Sequence, residues 1–140
     1  MLTALDRMLA EHECAKLAIA YGSCVDGRDI EGFMALWSED AVWYNTRGPL
    51  EGAAAIRRDV EATWGKSPPG RHICTNISVK LADDTHASGT SYFMFYLGGD
   101  VAGRPATIPQ FIGRYLDDYV KTETGWRIAS RRIELALKLA

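Results

Sequence analysis

The segment GKSPPGRHICTNIS, residues 65–78, divides the chain into a helical part and a strand part. Before it, apolar residues recur mostly at helical spacing and Gly48-Pro49 gives a turn signal. This part predicts three helices, at 3–25, 30–37 and 52–64, with one strand at 41–46 between the second helix and the third. After it, runs rich in β-branched and aromatic residues predict four strands, at 72–82, 86–97, 107–120 and 126–137. Helices followed by long antiparallel strands predict an α+β fold with a bent sheet wrapped around the helices.

The composition excludes several classes of protein. The chain has 140 residues, 47% of them apolar, and a net charge of −2, which predicts a single globular domain over 1–140. Its lysines and arginines are dispersed, so the basic footprint of a nucleic-acid-binding protein is missing. No apolar run reaches the roughly 20 residues of a membrane span, and no signal-peptide pattern opens the chain. We therefore expect a cytoplasmic protein.

The sequence gives no sign of a metal or a cofactor. The cysteines Cys14, Cys24 and Cys74 are odd in number and scattered, which is typical of reduced core thiols rather than of a disulfide framework. The three histidines lack the spacing of metal ligands, and the chain has no Walker loop and no GxGxxG motif. We expect a protein that works without either group.

Asp26 and His72 are the candidate catalytic residues. Asp26 lies where the first helical pattern ends, a position at which the helix dipole disfavours an anion by ~0.3–1 kcal/mol. His72 opens the first of the later strands. Brought together inside a pocket, they would form a general base with its orienting carboxylate. Two simpler interpretations stay open: residues 26–29 form a turn between two helices, and His72 is a structural histidine.

Side-chain alternation along the His72 strand gives one polar face and one apolar face. The polar face has His72, Cys74, Asn76 and Ser78; the apolar face has Ile73, Ile77, Val79 and Leu81. The polar face either lines a cavity or meets solvent, and the sequence leaves both possibilities open.

Arg131 and Arg132 are neighbours in the last strand and point to opposite faces, so we expect one of them to point inward. A buried guanidinium needs a partner, either an anionic ligand or an acid such as Glu134 or Asp117. The aromatic residues are mostly expected in the core, although a few could form the wall of a pocket for an apolar ligand.

Six strings of the sequence carry a family resemblance. They are Tyr21-x4-Asp26-x2-Asp29, Phe33-x2-Leu36-Trp37-x2-Asp40-Ala41-x-Trp43, Gly48-x3-Gly52-x3-Ile56, His72-x2-Thr75-Asn76, Gly113-Arg114-Tyr115-x-Asp117 and Gly125-Trp126-Arg127-Ile128. In this order they resemble the SnoaL-like branch of the NTF2-like superfamily across nearly the whole chain. The resemblance implies a cystatin-like, cone-shaped half-barrel of curved antiparallel sheet, closed by three N-terminal helices over one deep pocket.

Within that superfamily the chain is most similar to the scytalone dehydratase and hexachlorocyclohexane dehydrochlorinase group. The resemblance implies a cofactor-free lyase with Asp26 and His72 as its dyad, Arg131 as a cationic pocket residue and Trp43 in the pocket wall. Further candidates for substrate contacts are Tyr21, Asn76 and Tyr92.

The sequence thus predicts a lyase, of dehydratase or dehydrohalogenase type, or an isomerase that acts on a small apolar cyclic substrate. Alternatives on the same scaffold are a polyketide cyclase, an epoxide hydrolase-like enzyme and a non-catalytic ligand-binding module. Apolar residues fall on both parities of 86–97, so we also expect a homo-oligomer, and the family resemblance implies a trimer or a dimer.

Overall fold

The computed structural model describes residues 1–98 and 109–138 and has an α+β architecture. The helices are α1 (Ala4–Gly27), α2 (Ile30–Met34) and α3 (Ala53–Thr63), with a 3₁₀ turn at Trp64–Lys66. The strands are β1 (Trp37–Asn45), β2 (Gly48–Glu51), β3 (Arg71–Leu81), β4 (His86–Tyr96), β5 (Phe111–Thr122) and β6 (Gly125–Lys138).

The six strands form one open, curved sheet in the order β2-β1-β6-β5-β4-β3. The pairs from β3 to β6 are antiparallel, whereas β1 joins the edge of β6 in parallel. Register shifts within the β3–β4 and β5–β6 pairs mark bulges, which bend strands and strengthen the twist of a sheet. The predicted fold class is confirmed, with one parallel pair added to the expected antiparallel sheet.

Helix α1 is fixed at both ends by its own sequence. Thr3 and Asp6 form a capping box, in which the Thr3 hydroxyl accepts from the Asp6 amide and the Asp6 carboxylate accepts from the Thr3 amide. At the other end Arg28 adopts the left-handed conformation, with φ 55°, and its neighbour Asp29 donates its amide to the Cys24 carbonyl. Asp29 then caps α2 by accepting from the Gly32 amide.

Several predicted boundaries are wrong, for local reasons. The helix predicted over 30–37 ends at Met34, and the strand predicted from residue 41 already begins at Trp37. Gly48 and Pro49, predicted as a turn, begin the edge strand β2, where proline is tolerated. Of the strand predicted over 107–120, residues 107 and 108 lie outside the described part of the chain.

An aromatic core lies between the helices and the inner face of the sheet. The Tyr21 ring of α1 lies 5.3 Å from Phe33, 6.3 Å from Trp37 and 6.1 Å from Trp43, measured between centroids. All four residues are buried, so this cluster holds α1 and α2 against β1. Within the described residues, no helix combines the length and the apolar character that a membrane crossing requires.

Candidate active site

Asp26 and His72 are in direct contact. The Nδ1 atom of His72 lies 2.6 Å from Oδ1 of Asp26, and the backbone amide of His72 donates to Oδ2 of the same carboxylate at 2.7 Å. One carboxylate therefore holds both the ring and the backbone of the histidine. Because Asp26 belongs to the last turn of α1 and His72 to the first residues of β3, the pair also joins helix to sheet.

Gly22 makes this contact possible. A Cβ atom at Gly22 would lie 2.7 Å from the Cβ of His72, which is closer than real side chains approach. The absence of a side chain one turn before Asp26 therefore lets α1 lie directly on the start of β3. Gly22 is a positioning residue that the sequence analysis did not single out.

The surroundings of His72 favour its neutral form. Burial lowers the pKa of its imidazole below the ordinary value of 6.5, while the hydrogen bond and the charge of Asp26 oppose that shift. The positive charges of Arg131 and Arg28 add to the lowering. An imidazole that is neutral near pH 7 and whose Nδ1 side is engaged by a carboxylate has its Nε2 lone pair ready to accept a proton.

The dyad lies on the wall of a cavity of about 210 Å³. Its lining is mainly apolar, from Val25, Phe93, Phe95, Phe111, Ile133 and Leu135, with Tyr21, Tyr115 and Arg28 among the polar residues. The ring of Phe95 packs on the His72 ring with centroids 4.6 Å apart. The side chains of His72 and Asp26 keep 14% and 11% exposure, so the pair is shielded but remains reachable from the cavity.

A buried ion pair lies deeper in the protein, beneath the tyrosines of the cavity. Arg131 binds Asp117 through Nε and Nη2, both at 2.8 Å, and neither side chain is more than 1% exposed. The guanidinium lies 4.3 Å from the Tyr21 ring centroid and 3.9 Å from that of Tyr115. Burial is the largest single effect and lowers the pKa of Arg131, but the charge and the hydrogen bonds of Asp117, with smaller effects of Tyr115 and Tyr119, together raise it.

This arrangement decides which arginine points inward. Arg131 is buried and Asp117 is its partner, whereas Arg132 faces the outer side of the sheet and stacks on Tyr44 at 4.0 Å. Arg131 does not itself line the cavity, and its Nη1 atom has no hydrogen-bond partner among the described residues. Its charge reaches the cavity through the rings of Tyr21 and Tyr115.

The predicted substrate-contacting residues divide into two groups. Tyr21 lines the cavity, and the buried Trp43 packs behind it in the aromatic core. Burial raises the pKa of Tyr21, so its phenol stays protonated. Tyr92, in contrast, is 54% exposed and lines a groove on the outer face of the sheet, away from His72.

Asn76 also lies away from the cavity, because a bulge interrupts β3. Asn76 has a left-handed backbone, with φ 53°, at the register shift between Thr75 and Ser78. Alternation therefore resets: Ser78 faces the outer side, and Val79 and Leu81 join His72 on the core side. The expected placement of Asn76 and Ser78 on the His72 face is wrong for this reason.

The structure adds Arg28, Tyr115 and Phe95 to the residues around the cavity. Tyr115 shares the inner face of β5 with Asp117, so alternation from a predicted inward Asp117 could have identified it. Arg28 carried no such signal. Across residues 1–98 and 109–138, no cluster of three or more histidine, cysteine or acidic side chains is placed to hold a metal ion.

The comparisons with known proteins identify the family and the fold of the chain. An uncharacterized protein of Mycobacterium tuberculosis is 31% identical over 126 residues, which cover 87% of this chain and 82% of the relative. The hexachlorocyclohexane dehydrochlorinase LinA-type3 from Novosphingobium barchaimii superposes with a TM-score of 0.79 at 19% identity, covering 98% of this chain and 93% of that one.

A candidate scytalone dehydratase from Novosphingobium aromaticivorans superposes with a TM-score of 0.73 at 21% identity, covering 89% of this chain and 83% of that one. At these identities the two structures establish the shared fold. The sequence model of the SnoaL-like domain matches residues 6–132, which is most of the chain. The protein therefore belongs to the SnoaL-like family.

Proposed function

We propose that this protein is a cofactor-free lyase or isomerase that removes a proton from carbon in a small, largely apolar ring substrate. The observation that carries the proposal is the Asp26–His72 contact of 2.6 Å on the wall of an apolar cavity. Two proteins of the same fold are named for elimination reactions, a dehydrochlorinase and a candidate dehydratase, and we extend that chemistry to this chain.

His72 acts as the general base. Its Nδ1–H donates to Asp26, which leaves Nε2 unprotonated and free of hydrogen bonds to the described residues. Nε2 takes the proton from the substrate carbon, and the C–H electron pair forms a double bond as a leaving group departs. In an isomerase the proton returns to a different carbon instead. Asp26 then lies 2.6 Å from the imidazolium and stabilises its charge.

Negative charge that develops on the substrate is stabilised from the floor of the cavity. The pKa values of the Tyr21 and Tyr115 phenols are raised, mainly by burial, so both stay protonated and can donate a hydrogen bond. Arg131 lies against both rings and contributes a fixed positive charge in a buried environment, where such charges act most strongly. In this proposal Arg131 works through its field and through the tyrosines.

The size of the cavity limits the substrate. An apolar protein cavity of about 150 Å³ is known to hold benzene. A volume of about 210 Å³ therefore suits a single six-membered ring with small substituents.

Solvent-deuterium incorporation tests the proposal directly. Small cyclic alcohols, halides and ketones are incubated with the protein in D₂O, and exchange or elimination is followed by NMR. We expect His72→Ala to abolish the reaction and Asp26→Asn to lose about 10²–10⁴-fold in rate, because the amide can favour the wrong tautomer. Both variants should keep the fold, which thermal melts check.

His86 provides the matched control. It forms a similar contact with Asp83 at 3.1 Å, but both side chains are about 60% exposed and lie far from the cavity lining. His86→Ala should leave turnover unchanged. Unimpaired turnover by His72→Ala or Asp26→Asn would refute the mechanism, and a lowered melting temperature without any effect on turnover would identify His72 as structural.

We also propose that the protein assembles as a dimer or trimer through the outer face of the sheet. On β3, β4 and β6 respectively, Ile73, Tyr92 and Leu137 are 45%, 54% and 64% exposed, beside a mainly apolar groove of about 450 Å³. A contiguous apolar surface of this kind is typical of an interface. Light scattering at micromolar concentration should give an oligomer, and Tyr92→Glu should shift it toward monomer; a monomeric wild type would contradict the proposal.

A further inference from the structure

Arg28 places a positive charge at the edge of the cavity. It follows Asp26 by two residues, it is half-buried, and it lines the same cavity as His72. One of its terminal nitrogens, Nη2, donates to the backbone carbonyl of Ser67 at 2.8 Å. In the described part of the chain, its other N–H groups make no hydrogen bond and no carboxylate oxygen lies within 4 Å of it.

The two arginines near the cavity differ in this respect. Arg131 lies beneath the cavity and has two of its N–H groups occupied by hydrogen bonds to Asp117. Arg28 borders the cavity itself and, among the described residues, has a backbone carbonyl and the face of Trp64, 5.9 Å away, as its neighbours. A guanidinium with unused donors beside an apolar pocket is suited to bind a planar anion through two parallel hydrogen bonds.

We propose that Arg28 selects ring substrates that carry a carboxylate. This inference rests on the proposed function only in taking the cavity as the substrate site. The ring lies against Phe95 and the neighbouring apolar walls, its reacting carbon faces Nε2 of His72, and its carboxylate points to the cavity edge. At that edge the substrate carboxylate meets Arg28. Asp26 does not compete for Arg28, because both of its carboxylate oxygens are engaged by His72.

A purely structural role for Arg28 makes a different prediction. The Arg28–Ser67 contact joins the end of α1 to the loop before β3, and both Ser67 and Pro68 line the cavity. If that bridge were the only role, its loss would change the shape of the cavity and weaken neutral and anionic ligands alike. A charge-selective role weakens the anion alone.

The test compares benzoate with benzamide, which has nearly the same shape and no charge. Dissociation constants are measured by protein-observed NMR, following the ring resonances of Phe95 in the cavity wall. Wild type should bind benzoate about tenfold more tightly than benzamide, in line with a charge-assisted hydrogen-bonded pair. Arg28→Gln should remove the preference by weakening benzoate alone, and Arg28→Lys should keep part of it.

Two further variants guard against a folding artefact. Arg28→Gly suits the left-handed backbone, so it should fold well and still lose the preference for benzoate. Arg58→Gln removes the same charge from an exposed position on α3 outside the cavity lining and should change nothing.

His72→Ala separates this inference from the catalytic proposal, because it should keep the benzoate preference while losing turnover. Equal affinities for the two probes in wild type, an unchanged preference in Arg28→Gln, or no millimolar binding of benzoate would overturn the role of Arg28. None of these results would affect the assignment of His72 as base.

Discussion

The fold contains one aspartate–histidine pair and one aspartate–arginine pair, and the two differ in their access to solvent. Asp117 and Arg131 are sealed, with at most 1% exposure and two hydrogen bonds of 2.8 Å. Asp26 and His72 form the shorter contact, but they keep 11% and 14% exposure on a cavity wall. Arg131 of the first pair stays charged, since its pKa is raised, whereas His72 of the second pair can change its protonation state.

This difference in exposure and protonation indicates which of the two pairs can transfer a proton. A buried guanidinium that never releases its proton can stabilise charge but cannot transfer a proton. An imidazole whose pKa is lowered by burial, and which borders a cavity, can accept one at neutral pH. The sealed pair therefore supports the site electrostatically, and the accessible pair performs the transfer in our proposal.

Breaking the sealed pair should give the largest change in stability. Arg131→Met leaves the Asp117 carboxylate buried without its partner, which should lower the free energy of unfolding by about 3–5 kcal/mol. Chemical denaturation measures the change. Combining Arg131→Met with Asp117→Leu should recover much of the loss, because no buried charge is then left uncompensated.

Arg114 and Glu134 are the control for that experiment. They face each other on the same two strands at 3.3 Å, but their side chains are 50% and 43% exposed. Removing either should cost about 1 kcal/mol or less. Equal losses in the free energy of unfolding at the exposed pair and at the sealed pair would show that burial does not make the Arg131–Asp117 pair more important for stability.

Displacing the accessible pair should have a smaller effect on stability. Gly22→Ala places a methyl group against the Cβ of His72 and should cost about 1–3 kcal/mol by overpacking. It should also impair any turnover, because α1 carries Asp26. Gly27→Ala is the matched control, since among the described residues no atom outside its own stretch of helix would lie within 4 Å of the added Cβ. A Gly22→Ala protein as stable as Gly27→Ala would show that α1 does not rest on His72.

The pH dependence of stability should distinguish the pairs. Because the pKa of His72 is lower in the folded state, the unfolded chain binds more protons as pH falls below about 6.5, and stability falls with it. His72→Gln should remove this contribution between pH 7 and 5. Denaturant midpoints across that range measure it, and identical pH profiles for the two proteins would contradict the lowered pKa.

The smallest effect concerns the backbone at the end of α1. Arg28 has φ 55°, where a Cβ atom costs about 1 kcal/mol relative to glycine. Arg28→Gly should therefore be more stable than Arg28→Ala by about that amount, although both lose the same guanidinium. Thermal melts compare them, and equal stability would show that the left-handed conformation is relaxed in solution.

Local patterns in the sequence were enough to predict the helices, most strands and the α+β class, because periodicity and capping residues such as Thr3 and Asp29 act over short distances. The inward arginine could not be chosen from alternation alone, since Arg131 and Arg132 are equivalent until the sheet is assembled. Alternation also leaves the partner of that arginine open between an anionic ligand and an acid such as Glu134 or Asp117, and the assembled sheet brings Asp117 to it.

The differences between the predicted and the observed site have three separate physical causes. Alternation through β3 fails at Asn76, because the bulge there returns apolar residues to the inner face. Tyr92 was assigned to the pocket, but its parity in β4 places it on the outer face. The role of Gly22 depends on contact between a helix and a strand 50 residues later in the chain, which no local pattern reports.

The central claim is that His72 is a neutral base oriented by Asp26, and nitrogen-15 NMR of the imidazole tests it most directly. The account predicts a ring that is neutral at pH 7, carries its proton on Nδ1 and titrates below 6.5. In Asp26→Asn the midpoint should fall further, because Asp26 raises the pKa of His72. A charged imidazole at pH 7, or a neutral ring with its proton on Nε2, would contradict the account.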